Sequence, residues 1–273
     1  MVGIICMLLT AFCWSLSGII IKNTGQSAMN ISCFGALAAL LFNFVIYRGK
    51  KIVIDKFVVF VAIVEVFVRL TFIYANQHTS AGCAVALQYT SVLFVIFFEA
   101  VQNKKLPNWK QFIVVAVVSS GIFCLFYDGM QNGSILGNVV AVVSAVFFGA
   151  QFWLNTKEQA EPASSMTLSY VINSLILIPV LLRSENPVGI KDMFLMGLNG
   201  IIVCGFGGYF FNKGIGCIEA FSANLICILE IVLAPLWTYL LLNEKLSKLS
   251  LCGITIIVVS VILNLFLSKK ESV

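Results

Sequence analysis

Charged residues are scarce in this chain of 273 residues, where Asp, Glu, Lys and Arg together make up 11%. Soluble domains carry about 25% charged residues, so the composition excludes a typical soluble domain. Histidine occurs once, as His78, and no CxxC pair is present, which argues against a zinc site or a histidine-based catalytic site. The nine cysteines lie mostly inside apolar stretches, where cysteine acts as a small buried residue. We therefore expect no cofactor, no metal and no enzymatic activity.

Long apolar runs are what the chain has in abundance. Hydrophobic residues make up 60% of it, and the mean hydropathy is +1.02. A helix needs about 20 residues to cross the hydrocarbon core of a bilayer. Ten apolar stretches of 17 to 23 residues each meet this length: 3–21, 31–47, 57–75, 80–101, 111–127, 136–154, 166–182, 193–211, 220–242 and 249–267. The sequence predicts an all-α membrane protein with ten transmembrane helices in the lipid bilayer.

Basic residues beside the predicted spans account for the net charge of +5. The segments 48–56 and 104–110 carry seven Lys and Arg on one side of the first half, against Lys22 alone on the other side. Because Lys and Arg are enriched in cytoplasmic loops, this bias predicts a multi-pass protein with cytoplasmic N- and C-termini. The chain has no basic stripe with interleaved aromatic residues, so we expect no nucleic-acid partner.

The sequence also contains a weak internal duplication. Segment 89–106 aligns without gaps on segment 229–246, with five identities in eighteen positions, and Trp14 aligns on Phe148. These matches divide the chain into two five-helix repeats, 1–130 and 131–273. Because five is an odd number, the second repeat enters the membrane from the opposite side, which gives inverted repeats. Transporters commonly have this architecture.

One segment carries a family resemblance. Residues 229–237 read Leu-Glu-Ile-Val-Leu-Ala-Pro-Leu-Trp, followed by Leu-Asn-Glu-Lys-Leu at 242–246 and then by Gly253. Together with the ten spans and the duplication, this segment resembles helix 9 of the drug/metabolite transporter superfamily, EamA type. It departs from the family pattern at Ile231, where proline is common, and at Lys104, where a glutamate would recur in the first half. The resemblance implies a carrier of the inner (plasma) membrane whose central cavity is lined by helices 1, 3, 4, 6, 8 and 9.

Ionisable residues inside apolar spans mark candidate sites, because their insertion costs about 2.5–3.5 kcal/mol each. Glu65 and Arg69 are four residues apart and so share one face of the third predicted helix. Two interpretations stay open for them: a pair that binds a charged substrate, or a structural ion pair. Glu230 has no cation on its own helix to neutralise it. Two interpretations stay open for it as well: a role in substrate binding or proton coupling, or a hydrogen bond to another helix.

Polar and aromatic residues complete the candidate site. Trp14 and Ser17 in the first helix share their spacing with Phe148 and Gln151 in the sixth, which is typical of a cavity wall or of small-residue helix packing. With candidates from helices 4 and 8, the predicted substrate-binding residues are Trp14, Ser17, Glu65, Arg69, Gln88, Tyr89, Phe148, Gln151, Tyr209, Asn212 and Glu230.

A cavity with aromatic surface and both signs of charge suits a small zwitterionic or amphipathic solute. The ammonium group of an amino acid would meet Glu65 or Glu230, and its carboxylate would meet Arg69 or Lys213. We hypothesise a secondary transporter of amino acids or related metabolites that works by alternating access, with export as the favoured direction and proton coupling left open. The alternatives are an importer of a sugar or quaternary amine, and a non-transporting sensor or scaffold. Assembly as a homodimer is also left open.

The predicted topology can be tested with reporters fused to the two chain ends. We expect both fusions to report the cytoplasm, because an even number of spans returns the chain to the side where it began. A reporter inserted at Gly25, after the first span, should report the opposite side. Termini on different sides would contradict the ten-span prediction.

Overall fold

The structure is a computed structural model that describes residues 1–107, 109–127, 134–183, 188–242 and 247–271. These residues form helices joined by short connections. In chain order the helices are α1 (Val2–Trp14), α2 (Ser17–Lys22), α3 (Ala28–Ile46), α4 (Lys56–His78), α5 (Ala81–Gln88), α6 (Ser91–Asn103), α7 (Trp109–Phe126), α8 (Ile135–Leu154), α9 (Pro162–Leu182), α10 (Ile190–Leu198), a π-helix (Asn199–Gly207), α11 (Gly208–Gly214), a 3-10 turn (Ile215–Cys217), α12 (Ala220–Cys227), α13 (Leu229–Leu242) and α14 (Lys248–Glu271).

Seven helical segments among the described residues are long and apolar enough to cross a membrane: Val2–Lys22, Ala28–Ile46, Lys56–His78, Cys83–Asn103, Ile135–Leu154, Pro162–Leu182 and Ile190–Cys217. Three shorter apolar helices lie at Trp109–Cys124, Ala220–Leu233 and Leu251–Asn264. The helical fold class is thus confirmed, and the number of ten spans stays a prediction. The end of the family-like motif, 243–246, lies outside the described residues.

Side-chain caps explain where four of the helices begin. Ser27, Asp55, Ser80 and Ser134 each accept a hydrogen bond from the backbone N–H three residues later, over 2.8 to 3.3 Å. Such a cap satisfies one of the N–H groups that the first turn of a helix leaves unpaired. The caps set the starts of α3, α4, α5 and α8 within three residues of the predicted spans.

Three of the predicted spans are interrupted near their middle. The interruptions lie at Ser15, between α1 and α2, at Thr90, between α5 and α6, and at Ile228, between α12 and α13. Ser15 Oγ donates to the carbonyl of Phe12, and Thr90 Oγ1 donates to that of Leu87, each over 2.7 Å. Hydroxyls bonded to the preceding turn compete with the helical backbone pattern. Discontinuous helices of this kind bring backbone polar groups to the middle of a transporter bundle.

The bundle has two ends, which we name after the residues that they carry. At the Met1 end, Gly3 packs against Cys217 and Ile218. At the Lys22 end, the Lys22 ammonium group donates to the carbonyl of Thr79 over 2.9 Å. Between these ends, α4 packs on α8 and α9, α1 packs on α11 and the π-helix, α3 packs on α9 and the π-helix, and α7 packs on α14.

Glycine allows the π-helix to approach α3 closely. A Cβ atom at Gly200 would lie 2.5 Å from the carbonyl oxygen of Gly35 and 2.6 Å from Cβ of Ala38. Small residues at such contacts let helix backbones come close together in membranes. Close packing matters there because the hydrophobic effect does not drive helices together in lipid. Gly197 lies one turn earlier on the same span, and a Cβ atom there would meet no atom within 4 Å.

This difference predicts opposite effects for two glycine substitutions. Gly200→Ala should lower the free energy of unfolding by about 1–3 kcal/mol, because a methyl group forced into a packed contact moves the backbone. Gly197→Ala should leave it unchanged or raise it, because alanine favours the helix by up to about 1 kcal/mol. Thermal unfolding of the two variants in detergent provides the comparison. Equal unfolding temperatures would refute the close α3 contact.

Candidate functional site

A cavity of about 120 Å³ lies in the middle of the bundle, between α1, α2, α4, α5, α8, α9, the π-helix, α11 and α13. Eight of the eleven residues predicted from the sequence line it: Trp14, Ser17, Glu65, Arg69, Gln88, Phe148, Gln151 and Glu230. Residues on the same helix share one face because of their spacing, and the interruptions in the first and ninth spans lie next to the cavity. Together these features bring the eight side chains to one space. Whether they bind a substrate stays a prediction.

The other three predicted residues lie outside this cavity. Tyr89 is fully buried behind it, in contact with Glu230. Tyr209 and Asn212 face the Met1 end, where Asn212 Nδ2 donates to the Tyr47 hydroxyl over 3.4 Å. The reason is helical geometry: Tyr209 is rotated by about 100° from Gly208, which lines the cavity, and Asn212 lies one turn farther along the helix toward the Met1 end. Lys213 also lies at the Met1 end, 4.6 Å from the centre of the Tyr209 ring.

Aromatic side chains form the wall of the cavity toward the Met1 end. The rings of Trp14 and Phe148, which align in the internal duplication, lie 5.6 Å apart between centroids. Trp14 also stacks on Phe211 at 5.6 Å, and Phe152 meets it edge-on at 6.5 Å. Tilted and edge-on pairs at these distances are favourable beyond the area that they bury. The aromatic wall is thus a packed cluster of four rings, two of which, Trp14 and Phe148, line the cavity.

Glu65 and Arg69 line the same cavity and form no ion pair with each other within the described residues. Glu65 Oε1 accepts hydrogen bonds from Asn155 Nδ2 and Ser165 Oγ, each over 3.3 Å. The Arg69 guanidinium stacks 4.4 Å from the centre of the Tyr170 ring, and its Nη2 donates to Ser169 Oγ over 3.5 Å. Glu65 Oε2 and Arg69 Nη1 are buried and have no hydrogen-bond partner. Each side chain therefore retains one polar atom that a ligand can satisfy.

Glu230 sits at the interruption between α12 and α13, where it meets Tyr89. The Tyr89 oxygen lies 2.6 Å from Glu230 Oε2 and 2.7 Å from the carbonyl oxygen of Cys227. A phenol has one hydrogen to donate, so both contacts are hydrogen bonds only when Glu230 carries a proton and donates it. This buried contact joins the span that contains Tyr89 to the ninth predicted span.

Sequence reasoning missed several residues of the cavity, most notably Asn199. This asparagine is the first residue of the π-helix, it lines the cavity, and its Oδ1 is buried without a partner. Its presence inside a predicted apolar span was the available signal, because polar residues at that depth face an interior.

Long apolar helices around a buried cavity with unpaired polar atoms define a multi-pass membrane protein of the transporter class. The chain belongs to the EamA-like transporter family, whose model matches residues 1–127 and 135–266. This confirms the resemblance stated from the sequence. No curated protein matches the chain. The chain is also similar to a solved crystal structure whose description states no function. The two superpose with a TM-score of 0.81 over 99% of each chain, at 12% sequence identity. That likeness shows the fold alone.

Removal of the Tyr89 hydroxyl should destabilise the protein. Tyr89→Phe leaves a buried carboxyl group and a buried carbonyl without their shared partner, which costs about 1–3 kcal/mol of unfolding free energy. Thermal unfolding in detergent measures the effect, with Tyr127→Phe as the control because Tyr127 is exposed. Unchanged stability in both variants would show that this contact contributes nothing.

Proposed function

We propose that this protein is a secondary transporter of small zwitterionic or amphipathic metabolites, foremost amino acids, that works by alternating access. Within this proposal the protein resides in the inner (plasma) membrane with both termini cytoplasmic, and export is the favoured direction. The observation that carries the proposal is the pair of unpaired polar atoms in the cavity, Glu65 Oε2 and Arg69 Nη1.

These two atoms match the charged groups of a zwitterion. A guanidinium N–H donates to a carboxylate in a charge-assisted hydrogen bond, and a carboxylate oxygen accepts from an ammonium group. One helical turn of about 5.4 Å separates Glu65 from Arg69 on the same face of α4. The ammonium and carboxylate groups of an amino acid are directly linked through one carbon, so a single ligand can reach both residues with ordinary hydrogen bonds of about 2.9 Å.

The packing of the helices supports an inverted arrangement of the two halves. The contact of α4 with α8 joins predicted spans 3 and 6, and its counterpart, α11 with α1, joins spans 8 and 1. Likewise α4 packs on α9 and the π-helix packs on α3, which are the corresponding pairs of spans 3 with 7 and 8 with 2. Two similar halves related in this way can rock about a site between them and open it to alternate faces.

Two aligned glycines repeat the same contact. A Cβ atom at Gly3 would lie 2.9 Å from Cβ of Cys217, just after the eighth predicted span. A Cβ atom at Gly137 would lie 2.8 Å from the backbone carbonyl carbon of His78, at the end of the third. The fourth and ninth spans are also interrupted at nearly equivalent positions, because Thr90 aligns in sequence on Glu230, two residues after Ile228. These correspondences favour two related halves.

Proton coupling is the most specific part of the proposal, and the contact of Glu230 with Tyr89 supports it. The contact that Tyr89 makes with both Glu230 and Cys227 is complete with a protonated carboxyl group. Loss of that proton would leave one acceptor without a donor. A protonation change at Glu230 would thereby alter the contact between the fourth and ninth spans, which is what a proton-coupled carrier requires.

Flux of labelled amino acids into proteoliposomes tests the function. Glu65→Gln and Arg69→Met should each lower the flux at least tenfold, because a hydrogen bond to a charged group contributes about 1.5–3 kcal/mol. Glu158→Gln and Lys191→Met are matched controls, since both residues are exposed and lie outside the cavity. These two variants should transport like the wild type.

Two outcomes would count against the proposal. Absence of flux in wild-type proteoliposomes for every amino acid would contradict amino-acid transport and favour the sensor or scaffold alternative. Wild-type flux that persists unchanged in Glu65→Gln and Arg69→Met would show that transported solutes do not bind at this pair.

A further inference from the structure

Asn199 differs from three other buried asparagines of the bundle, Asn43, Asn173 and Asn224, in its hydrogen bonding. These three bond across helices: Asn43 Nδ2 donates to Thr167 Oγ1 over 2.9 Å, Asn173 Nδ2 to the carbonyl of Ser32 over 3.0 Å, and Asn224 Nδ2 to Ser91 Oγ over 3.0 Å. Asn199 is 4% exposed, and its buried Oδ1 has no hydrogen-bond partner. It therefore does not join helices in the way that intramembrane asparagines usually do.

Asn199 lines the central cavity, so a ligand bound there would lie next to its unpaired oxygen. Asn199 lines the central cavity together with Ile21, Ile73 and Val203, which are apolar. Asn76 also has unpaired amide atoms, but it does not line this cavity. A buried acceptor is unfavourable until a donor reaches it. The cavity is the space from which a donor can come.

The position of Asn199 relative to Arg69 follows from the π-helix. Cys204 lies five residues after Asn199, which is one turn in a helix with i to i+5 hydrogen bonds. The carbonyl of Cys204 accepts a hydrogen bond from the Tyr170 hydroxyl over 2.8 Å, and the Arg69 guanidinium stacks on the ring of Tyr170. Asn199 is thus about one turn nearer to the Lys22 end than Arg69.

Glu65 lies one turn from Arg69 in the opposite direction, toward the Met1 end. The three unpaired atoms therefore follow one another along the cavity as an acceptor on Glu65, a donor on Arg69 and a second acceptor on Asn199. An amino acid whose ammonium and carboxylate groups occupy the first two leaves its side chain to extend toward Asn199. The third atom then meets the part of the ligand that distinguishes one amino acid from another.

We propose that Asn199 Oδ1 accepts a hydrogen bond from the side chain of the transported amino acid, so that the cavity selects short side chains with a hydroxyl or amide group. This inference rests on the proposed function and names the substrate class of the same cavity. A site that hydrogen-bonds a substrate group rejects the analogue that lacks it, because the protein atom is then left buried and unpaired. Valine has nearly the shape of threonine, and leucine nearly that of asparagine, so shape alone does not distinguish these pairs.

The test measures the affinity of purified full-length protein for threonine, valine, asparagine and leucine. The wild type should bind threonine and asparagine about tenfold or more tightly than their apolar counterparts. Asn199→Leu should reduce each ratio to about one, mainly through weaker binding of threonine and asparagine. Asn199→Ala should do the same without added bulk, which guards against an effect of misfolding. Asn76→Leu is the matched control and should keep the wild-type ratios.

The outcomes separate this inference from the function on which it rests. If Asn199→Leu and Asn199→Ala keep the wild-type ratios, or weaken all four ligands equally, Asn199 does not recognise the side chain and the inference is wrong. A wild type that binds valine and leucine as tightly as threonine and asparagine also overturns it, while amino-acid transport still stands. If none of the four amino acids binds the wild type, the proposed function fails together with the inference.

Discussion

The bundle depends on the rule that a polar group surrounded by hydrocarbon must find its hydrogen-bond partner inside the protein. Backbone groups meet this requirement through helices, and side chains meet it across helix contacts. The cross-helix bonds of Asn43 to Thr167, Gln88 to Ser144 and Asn224 to Ser91 each join a helix of the first half to one of the second. The same buried polar residues that are costly in lipid thus hold the two halves together. Glu65, Arg69 and Asn199 line the central cavity and each keep an unpaired atom, and these atoms mark the candidate site.

Packing supplies the second requirement, because apolar helices in a bilayer are not driven together by water. Glycines let backbones meet, and large rings fill the space that remains. Gly207 shows both at once: a Cβ atom there would lie 2.7 Å from the indole ring of Trp14. The glycine-rich eighth predicted span therefore makes room for the aromatic wall of the cavity. Its π-helix presents Asn199 and Val203 to the same space from successive turns.

Hydropathy and spacing predicted much of the candidate site, for clear physical reasons. Glu65, Arg69 and Glu230 were recognisable because charge is rare and costly at bilayer depth. Trp14 and Phe148 were recognisable because they align in the duplication, and the structure brings their rings into contact. Tyr209 and Asn212 could not be assigned to a side of their helix, since the switch from π-helix to α11 changes which residues face inward. Local spacing carries no information about such a switch.

The sequence by itself determined that this is a helical membrane protein, because twenty-residue apolar runs can satisfy their backbones in lipid only as helices. It also identified the charged residues that must face an interior. Only the tertiary structure decided that Glu65 bonds to Asn155 and Ser165 rather than to Arg69, and that Asn199 keeps an unpaired oxygen. These outcomes depend on which helices become neighbours, and partners 90 or 100 positions away leave no trace in the local pattern.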